Sequence, residues 1–268
     1  MATGAEVWRY RGLIGNLVQR ELKAQYKRSV LGYLWSLINP LSTLLIYALV
    51  FGVFLRIEPP VAGNGELKNF ALYLFAALIV WNFFSGVVNG SMAALEGVGG
   101  LLRKVYFPPQ CPALASTVTV LIQAGIETGL LVAVMVIVGN VSATFLLFPL
   151  LLVLLVLFSL GIGLVVSLLN VYYRDVGYLV GIALNILFYA TPIIYPLSLV
   201  DDAWGLPLRD LILLNPLTHF TQGARLLLYE LQVPSTGWML IVATESIVAF
   251  LVGWRLFSRY SLDVSESL

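Results

Sequence analysis

Apolar residues in this chain run in long blocks rather than alternating. Six blocks approach the roughly 20 residues needed to cross a bilayer, at residues 37–56, 70–90, 113–138, 143–169, 177–195 and 238–256. They predict an all-α polytopic membrane protein of six transmembrane helices with both termini on one side. Ahead of the first block, Tyr10, Leu13, Ile14, Leu17, Val18 and Leu22 recur at helical spacing, while Arg9, Arg11, Gln19, Arg20 and Lys23 take the other positions. This pattern predicts an amphipathic helix lying in the membrane interface. The first block is interrupted early by Asn39-Pro40, and a tight Gly139-Asn140-Val141-Ser142 turn joins the third and fourth into a hairpin.

Two connections are neither spans nor simple loops. Glu96-Gly97-Val98-Gly99-Gly100 loosens the chain before Leu101-Leu102-Arg103-Lys104-Val105-Tyr106-Phe107, and Pro108-Pro109 then stops any helix. A short mixed apolar and basic helix is expected at about 97–108. After the fifth block, Thr191-Pro192 and Tyr195-Pro196 break the chain, and two half-length apolar stretches follow within about 205–232. These are expected to form a pair of re-entrant or interface-lying helices, packed against protein or lining a cavity so that their backbone is paired. The expected organisation is an interface segment at 1–36, a transmembrane domain at 37–256 and a tail at 257–268.

Composition agrees with the pattern: 60% of residues are apolar and 11% charged, far from the roughly 25% charge of soluble domains. Fifteen basic and 14 acidic residues leave a net charge of +1, too little to attract nucleic acid, so basic residues matter by location. Six spans put Arg9, Arg11, Arg20, Lys23, Lys27, Arg28, Arg103, Lys104, Arg174, Arg255 and Arg259 on one face, against Arg56, Lys68, Arg209 and Arg225 on the other. The richer face is expected to be cytoplasmic, with both termini. No apolar run falls in the first thirty residues, so a retained N terminus is expected rather than a cleaved signal peptide.

A single cysteine, Cys111, and a single histidine, His219, exclude an intrachain disulfide and a cysteine or histidine metal cluster. No catalytic or metal-binding set is expected. The chain has no G-x-x-x-x-G-K-[ST] loop, so it does not cradle ATP phosphates in that way, and neither G-x-S-x-G nor H-E-x-x-H occurs. Asn140-Val141-Ser142 matches a glycosylation acceptor, a match short enough to arise by chance.

Two carboxylates fall within expected spans: Glu127, one turn after Gln123, and Glu245 beside Thr244 and Ser246. An ionised side chain at the bilayer centre costs about 3 kcal/mol or more by insertion scales, so both are expected to face the bundle interior. Proton coupling and plain helix-to-helix hydrogen bonding both remain open for them. Aromatic residues crowd the span ends. Most such rings mark the headgroup level, but some are candidates for lining a conduit in which ring faces stack on sugar rings: Trp35, Trp81, Phe84, Tyr172, Tyr173, Phe188 and Tyr189.

The run RELKAQYKRSVLGYLWSLINPL, then LLRKVYFPPQCP, NVYYRDVGYLVGIALNILFYATPIIYP and LNPLTHFTQGAR resemble, in order and spacing over nearly the whole chain, the membrane (ABC-2 type permease) subunits of bacterial ABC exporters for O-antigen, teichoic acid and related polysaccharides. The resemblance implies a homodimer in the cytoplasmic membrane, working with two copies of a separate ATP-binding cassette ATPase. That ATPase would bind the ATP and magnesium, leaving no cofactor in this chain. The implied cargo is an undecaprenyl- or polyprenyl-diphosphate-linked glycan, such as O-antigen, teichoic acid or a cell-wall galactan precursor. It further implies that the amphipathic N-terminal helix and the segment Leu101 to Phe107 meet the ATPase. In the same picture Arg28, Gly32 and Tyr33 lie where the lipid head group comes in, and the two outer helices gate the exit. Two other readings compete: an ABC permease for a lipid or small amphipathic drug, and a membrane-embedded enzyme on lipid-linked sugars using Glu127, Glu245 or Asp201-Asp202 as acid or base.

Overall fold

The structure is a computed structural model that describes residues 4–27, 29, 31–57, 59–102, 105, 107–173, 175–197, 200 and 208–267. Two helices, α1 (Gly4–Arg9) and α2 (Arg11–Tyr26), precede a one-turn 3-10 helix at Gly32–Leu34 and α3 (Trp35–Tyr47), which runs on as a π-helix over Ala48–Phe54. Then come α4 (Phe70–Gly97), the four-residue α5 (Gly99–Leu102), α6 (Gln110–Ile137), α7 (Phe148–Tyr172), α8 (Val176–Ala190), α9 (Leu208–Leu213), α10 (Pro216–Leu228) and α11 (Thr236–Ser267). No strand occurs among the described residues. The all-α membrane architecture expected from the apolar blocks is what the chain adopts.

Local chemistry explains where these helices start. The Asn69 side chain accepts from the amides of Ala71 and Leu72, capping α4. Asn215 does the same for α10 through Leu217, and Pro216 occupies the first helical position, where its missing N–H costs nothing. Asn39-Pro40 does not stop α3. Pro40 lacks the amide that would have bonded the Ser36 carbonyl, and Gln123 of α6 donates its Nε2 to that carbonyl instead, at 3.2 Å.

Five helices among the described residues are long and apolar enough to cross a membrane: Trp35–Phe54, Phe70–Gly97, Gln110–Ile137, Ala143–Tyr172 and Thr236–Tyr260. The fifth expected span is a shorter apolar helix, α8, of 15 residues. At 1.5 Å per residue it rises about 22 Å, less than a roughly 30 Å hydrocarbon core. It stops where Thr191 turns extended ahead of Pro192, the break read from the sequence. The last helix runs through Ser267, so the segment expected as a tail continues α11.

The core sits around α4, whose residues from Phe70 to Val80 are all buried between α6, α7 and α10. On the other side of α7, α11 comes in at backbone distance. A Cβ on Gly161 would collide with the Ala249 carbonyl, and one on Gly253 with the Gly161 backbone. Small residues thus bring the two helices together by van der Waals packing, in a lipid setting that supplies no hydrophobic drive. By contrast α3 buries only Ser36 and Pro40, and α8 only Leu184. Both leave long apolar faces outward.

At the N-terminal end of the chain, α2 folds onto α6. Leu17 and Val18 bury against a cluster containing Phe107, Cys111 and Ala115, while Arg9, Arg11, Arg20, Lys23 and Lys27 stay exposed. This is the amphipathic helix that its spacing predicted, docked on protein as well as available to an interface.

Candidate functional site

A concave feature follows the seam between α4 and α8, which run antiparallel. One cleft of about 490 Å³ lies between Trp81, Ser85 and Asn89 of α4 and Asn185, Phe188 and Tyr189 of α8. A second of about 330 Å³ continues it from the shared Asn89 to Glu96, with Asn170, Gly177 and Tyr178 on the far wall. Together they form a groove whose α4 wall, from Trp81 to Glu96, rises roughly 22 Å at helical pitch. That is most of the depth of a hydrocarbon core.

The groove is built by residues that a span would ordinarily avoid. Asn89 Nδ2 donates to the Ser85 carbonyl at 2.9 Å, and Asn185 Nδ2 to the Gly181 carbonyl at 3.0 Å. Each amide is anchored to its own helix by one N–H and keeps its carbonyl oxygen and second N–H for other partners. Ser85 donates to the Trp81 carbonyl at 2.8 Å. Beside these, Phe188 meets Trp81 edge-on, with centroids 5.3 Å apart, and Tyr189 edge-on at 5.2 Å. Aromatic faces and amide groups in one groove suit polyhydroxylated rings, which offer an apolar face and a rim of hydroxyls.

The seven aromatic candidates are not equivalent in space. Trp81, Phe188 and Tyr189 line the groove. Phe84 lies behind it, 4% exposed, stacked between Trp81 and Phe158 at 6.1 and 5.8 Å, and Phe158 continues the stack to Phe220 of α10 at 5.4 Å. It supports the wall instead of lining it. Tyr172 turns away to donate to the Tyr260 carbonyl of α11 at 3.2 Å, and Tyr173 is exposed beyond the end of α7. Trp35 opens α3 and is 41% exposed.

At the α2 end of the molecule, Gly32 adopts φ +50, a left-handed conformation that favours glycine, and its amide donates to Ser29 Oγ at 3.2 Å. Tyr33 lies in the 3-10 helix that follows, and Arg28 lies outside the described residues. In the segment expected to meet a partner, Leu101 and Leu102 end α5 and Val105 is exposed, while Arg103, Lys104 and Tyr106 lie outside the described residues. Phe107 is 2% exposed and packs beneath α2. Its ring therefore secures the chain's own N-terminal helix and offers no surface to a partner.

The intramembrane polar residues each find a neighbour. Glu127 is buried and accepts from Asn82 Nδ2 at 3.2 Å, linking α6 to α4. Glu245 sits 3.1 Å through both carboxylate oxygens from His219 Nδ1, linking α11 to α10. With Gln123 serving the Ser36 carbonyl, all three tie helix to helix. Asn140 is fully buried, its Nδ2 donating to the Tyr229 carbonyl at 2.9 Å and its Oδ1 accepting from the Asn64 amide, so it is not an accessible glycosylation acceptor.

Sequence reasoning missed two features. The amide partners Asn89 and Asn185 read as ordinary polar interruptions, because helical period alone does not place residues of two distant helices across one groove. Arg225 was read only as an outer-face charge, yet it is fully buried. It donates to the Tyr73, Pro192 and Ile193 carbonyls at 3.3, 2.7 and 2.5 Å and lies 3.9 Å over the Tyr73 ring. Burial pulls its pKa down to about 10, which still leaves it charged at neutral pH. The signal was faint: the carbonyls freed by the Thr191-Pro192 break need donors, and Arg225 is the donor they receive.

Residues 13–229 match the family described as ABC-2 type transporter. The chain is 32% identical to the O-antigen export system permease protein RfbA of Myxococcus xanthus, over 98% of each chain. It is 25% identical to the protein of the same name from Klebsiella pneumoniae, over 94% of this chain and 93% of that one. With the polysialic acid transport protein KpsM of Escherichia coli it shares 25% identity over 90% of each.

Proposed function

This chain belongs to the ABC-2 type transporter family, and we propose that it is the membrane subunit of an exporter that moves a lipid-linked polysaccharide across the cytoplasmic membrane. The observation that carries the cargo reading is the groove between α4 and α8, where Trp81, Phe188 and Tyr189 alternate with Ser85, Asn89 and Asn185. Rings and amides arranged this way let a sugar chain exchange one set of stacking and hydrogen-bonding partners for the next without a single deep site. A lipid or small-drug cargo is not favoured, since the named relatives are polysaccharide exporters. An enzymatic reading loses support because Glu127 and Glu245 hold helices together in place of facing a shared cleft.

Active transport needs an ATPase in trans, because the sequence lacks a phosphate-binding loop. Two copies of such an ATPase, bearing ATP and magnesium, would dock on the α2 side, against the exposed basic face of α2 and the segment around Leu101 to Val105. The cytoplasmic side is then the α2 side, and both termini lie there. The outward apolar faces of α3 and α8 suit a second copy of this chain, placing the groove on a two-fold axis. Gly32 and Tyr33 stand just ahead of α3, and with Arg28, which precedes them in sequence, they would hold an anionic polyprenyl-diphosphate head at the bilayer's inner face. On the opposite side α9 and α10 would gate the exit.

Reconstitution with the neighbouring ATPase in liposomes tests this. ATP hydrolysis should depend on this chain, and a polyprenyl-linked glycan should become accessible on the far side. A chain that neither binds nor stimulates any ATPase overturns the proposal.

A further inference from the structure

Membership in the family leaves open the charge of the cargo, since one relative is named for polysialic acid, an anionic polymer. The groove itself is specific on this point. Among the described residues, no lysine or arginine lines either of its two clefts. Apart from one carboxylate, the polar groups among the described lining residues are neutral: the amides of Asn89, Asn170 and Asn185, the hydroxyls of Ser85, Tyr178 and Tyr189, and the Trp81 indole N–H. Among the described residues that line it, the one charged group is Glu96, at the α2 end, which accepts from Asn170 Nδ2 at 2.5 Å. Arg225 cannot help, because its donors are spent on backbone carbonyls away from the groove.

A carboxylated sugar moving through this groove would leave water for a wall whose described residues offer no countercharge, and would pass a carboxylate at the mouth. Both effects raise its barrier, desolvation through the lack of a partner and Glu96 through like-charge repulsion. An uncharged sugar meets neither, while its hydroxyls find amide acceptors and donors and its ring faces find Trp81, Phe188 and Tyr189. We infer that the α4–α8 groove selects polysaccharides built from uncharged sugar units and rejects polymers rich in uronic or sialic acid type units. The inference rests on the export reading and narrows it to one chemical class of cargo.

The test uses the full chain with its ATPase in proteoliposomes and two synthetic polyprenyl-diphosphate oligosaccharides of equal length. One is made of glucose only, and the other carries glucuronate at alternate positions. The initial rate of ATP-dependent appearance on the far side should favour the neutral glycan by roughly tenfold or more, the order expected for an unpartnered charge in a membrane-depth groove. Glu96→Gln keeps an acceptor for Asn170 and should narrow the ratio, and Asn89→Lys should narrow it further by supplying a countercharge. Equal rates, or faster transport of the glucuronate glycan by the unaltered chain, overturn the inference while leaving export standing. If neither glycan moves although ATP is hydrolysed, the export reading falls and the inference falls with it.

Discussion

Arg225 shows how one side chain holds an irregular piece of membrane protein together. Breaking a helix at Thr191-Pro192 strands carbonyls, and one guanidinium answers two of them together with the Tyr73 carbonyl. Arg225→Leu should destabilise the protein by about 3 kcal/mol or more, because several buried acceptors lose their donor at once; thermal unfolding of the detergent-solubilised chain measures it. Gln123 performs the same service for the carbonyl that Pro40 leaves free, so Gln123→Leu should cost about 1–3 kcal/mol by the same readout. Glu21 is a different case. Burial under the α2–α6 contact lifts its carboxyl above the usual range, with the Thr119 hydroxyl and Arg20 pulling the other way. A carboxyl whose pKa is raised by folding contributes most below its ordinary value, near 4.5, and loses that contribution as pH climbs through the raised one. Hydrogen exchange of the α2 amides should therefore quicken, relative to its intrinsic rate, as pH rises from about 4 to 7. In Glu21→Gln that pH dependence should vanish.

Helices here meet in two ways, and the sequence advertises them unequally. The amphipathic character of α2 was legible because Leu13, Leu17 and Val18 recur on one face, a periodicity that survives without knowledge of the partner, whereas its docking on α6 was not. The α7–α11 crossing was not, because glycine is common in membrane helices and nothing in the order of residues pairs Gly161 with Gly253. That pairing makes a direct prediction. Gly253→Val should force the helices apart and cost about 1–3 kcal/mol, seen as a lower unfolding temperature, whereas the same change at Gly125 of α6, where an added Cβ meets nothing within 4 Å, should cost far less. The short connecting helix expected at about 97–108 is described only as the four residues Gly99–Leu102. Phe107 belongs to the chain's own packing, buried in one cluster with Leu17 and Val18 of α2.

At the scale of the whole molecule, the unequal burial of the helices says how it would work. The spine of α4 with α6, α7, α10 and α11 is well packed, whereas α3 and α8 are held by few buried residues and face outward. Of the two helices that form the groove, α8 is thus the freer to move, and movement of α8 relative to α4 would widen or close it. Trp81→Ala and Phe188→Ala should lower export of the glycan severalfold while leaving binding of the ATPase intact, checked by co-purification beside the transport rate. The sequence by itself determined the membrane setting, the all-α architecture, the amphipathic α2, the proline break after α8 and the lack of a phosphate-binding loop. Each of these depends on local composition or period, or on a motif's absence, and so is written in consecutive residues. Only the tertiary structure decided that α8 is a helix of only 15 residues, that Phe84 and Tyr172 stand outside the groove, that Glu245 reaches His219, and that Asn89 and Asn185 share a groove with Trp81 and Phe188. Those facts arise where helices distant in sequence come together, and the choice of which face meets which neighbour is made by packing of the whole bundle.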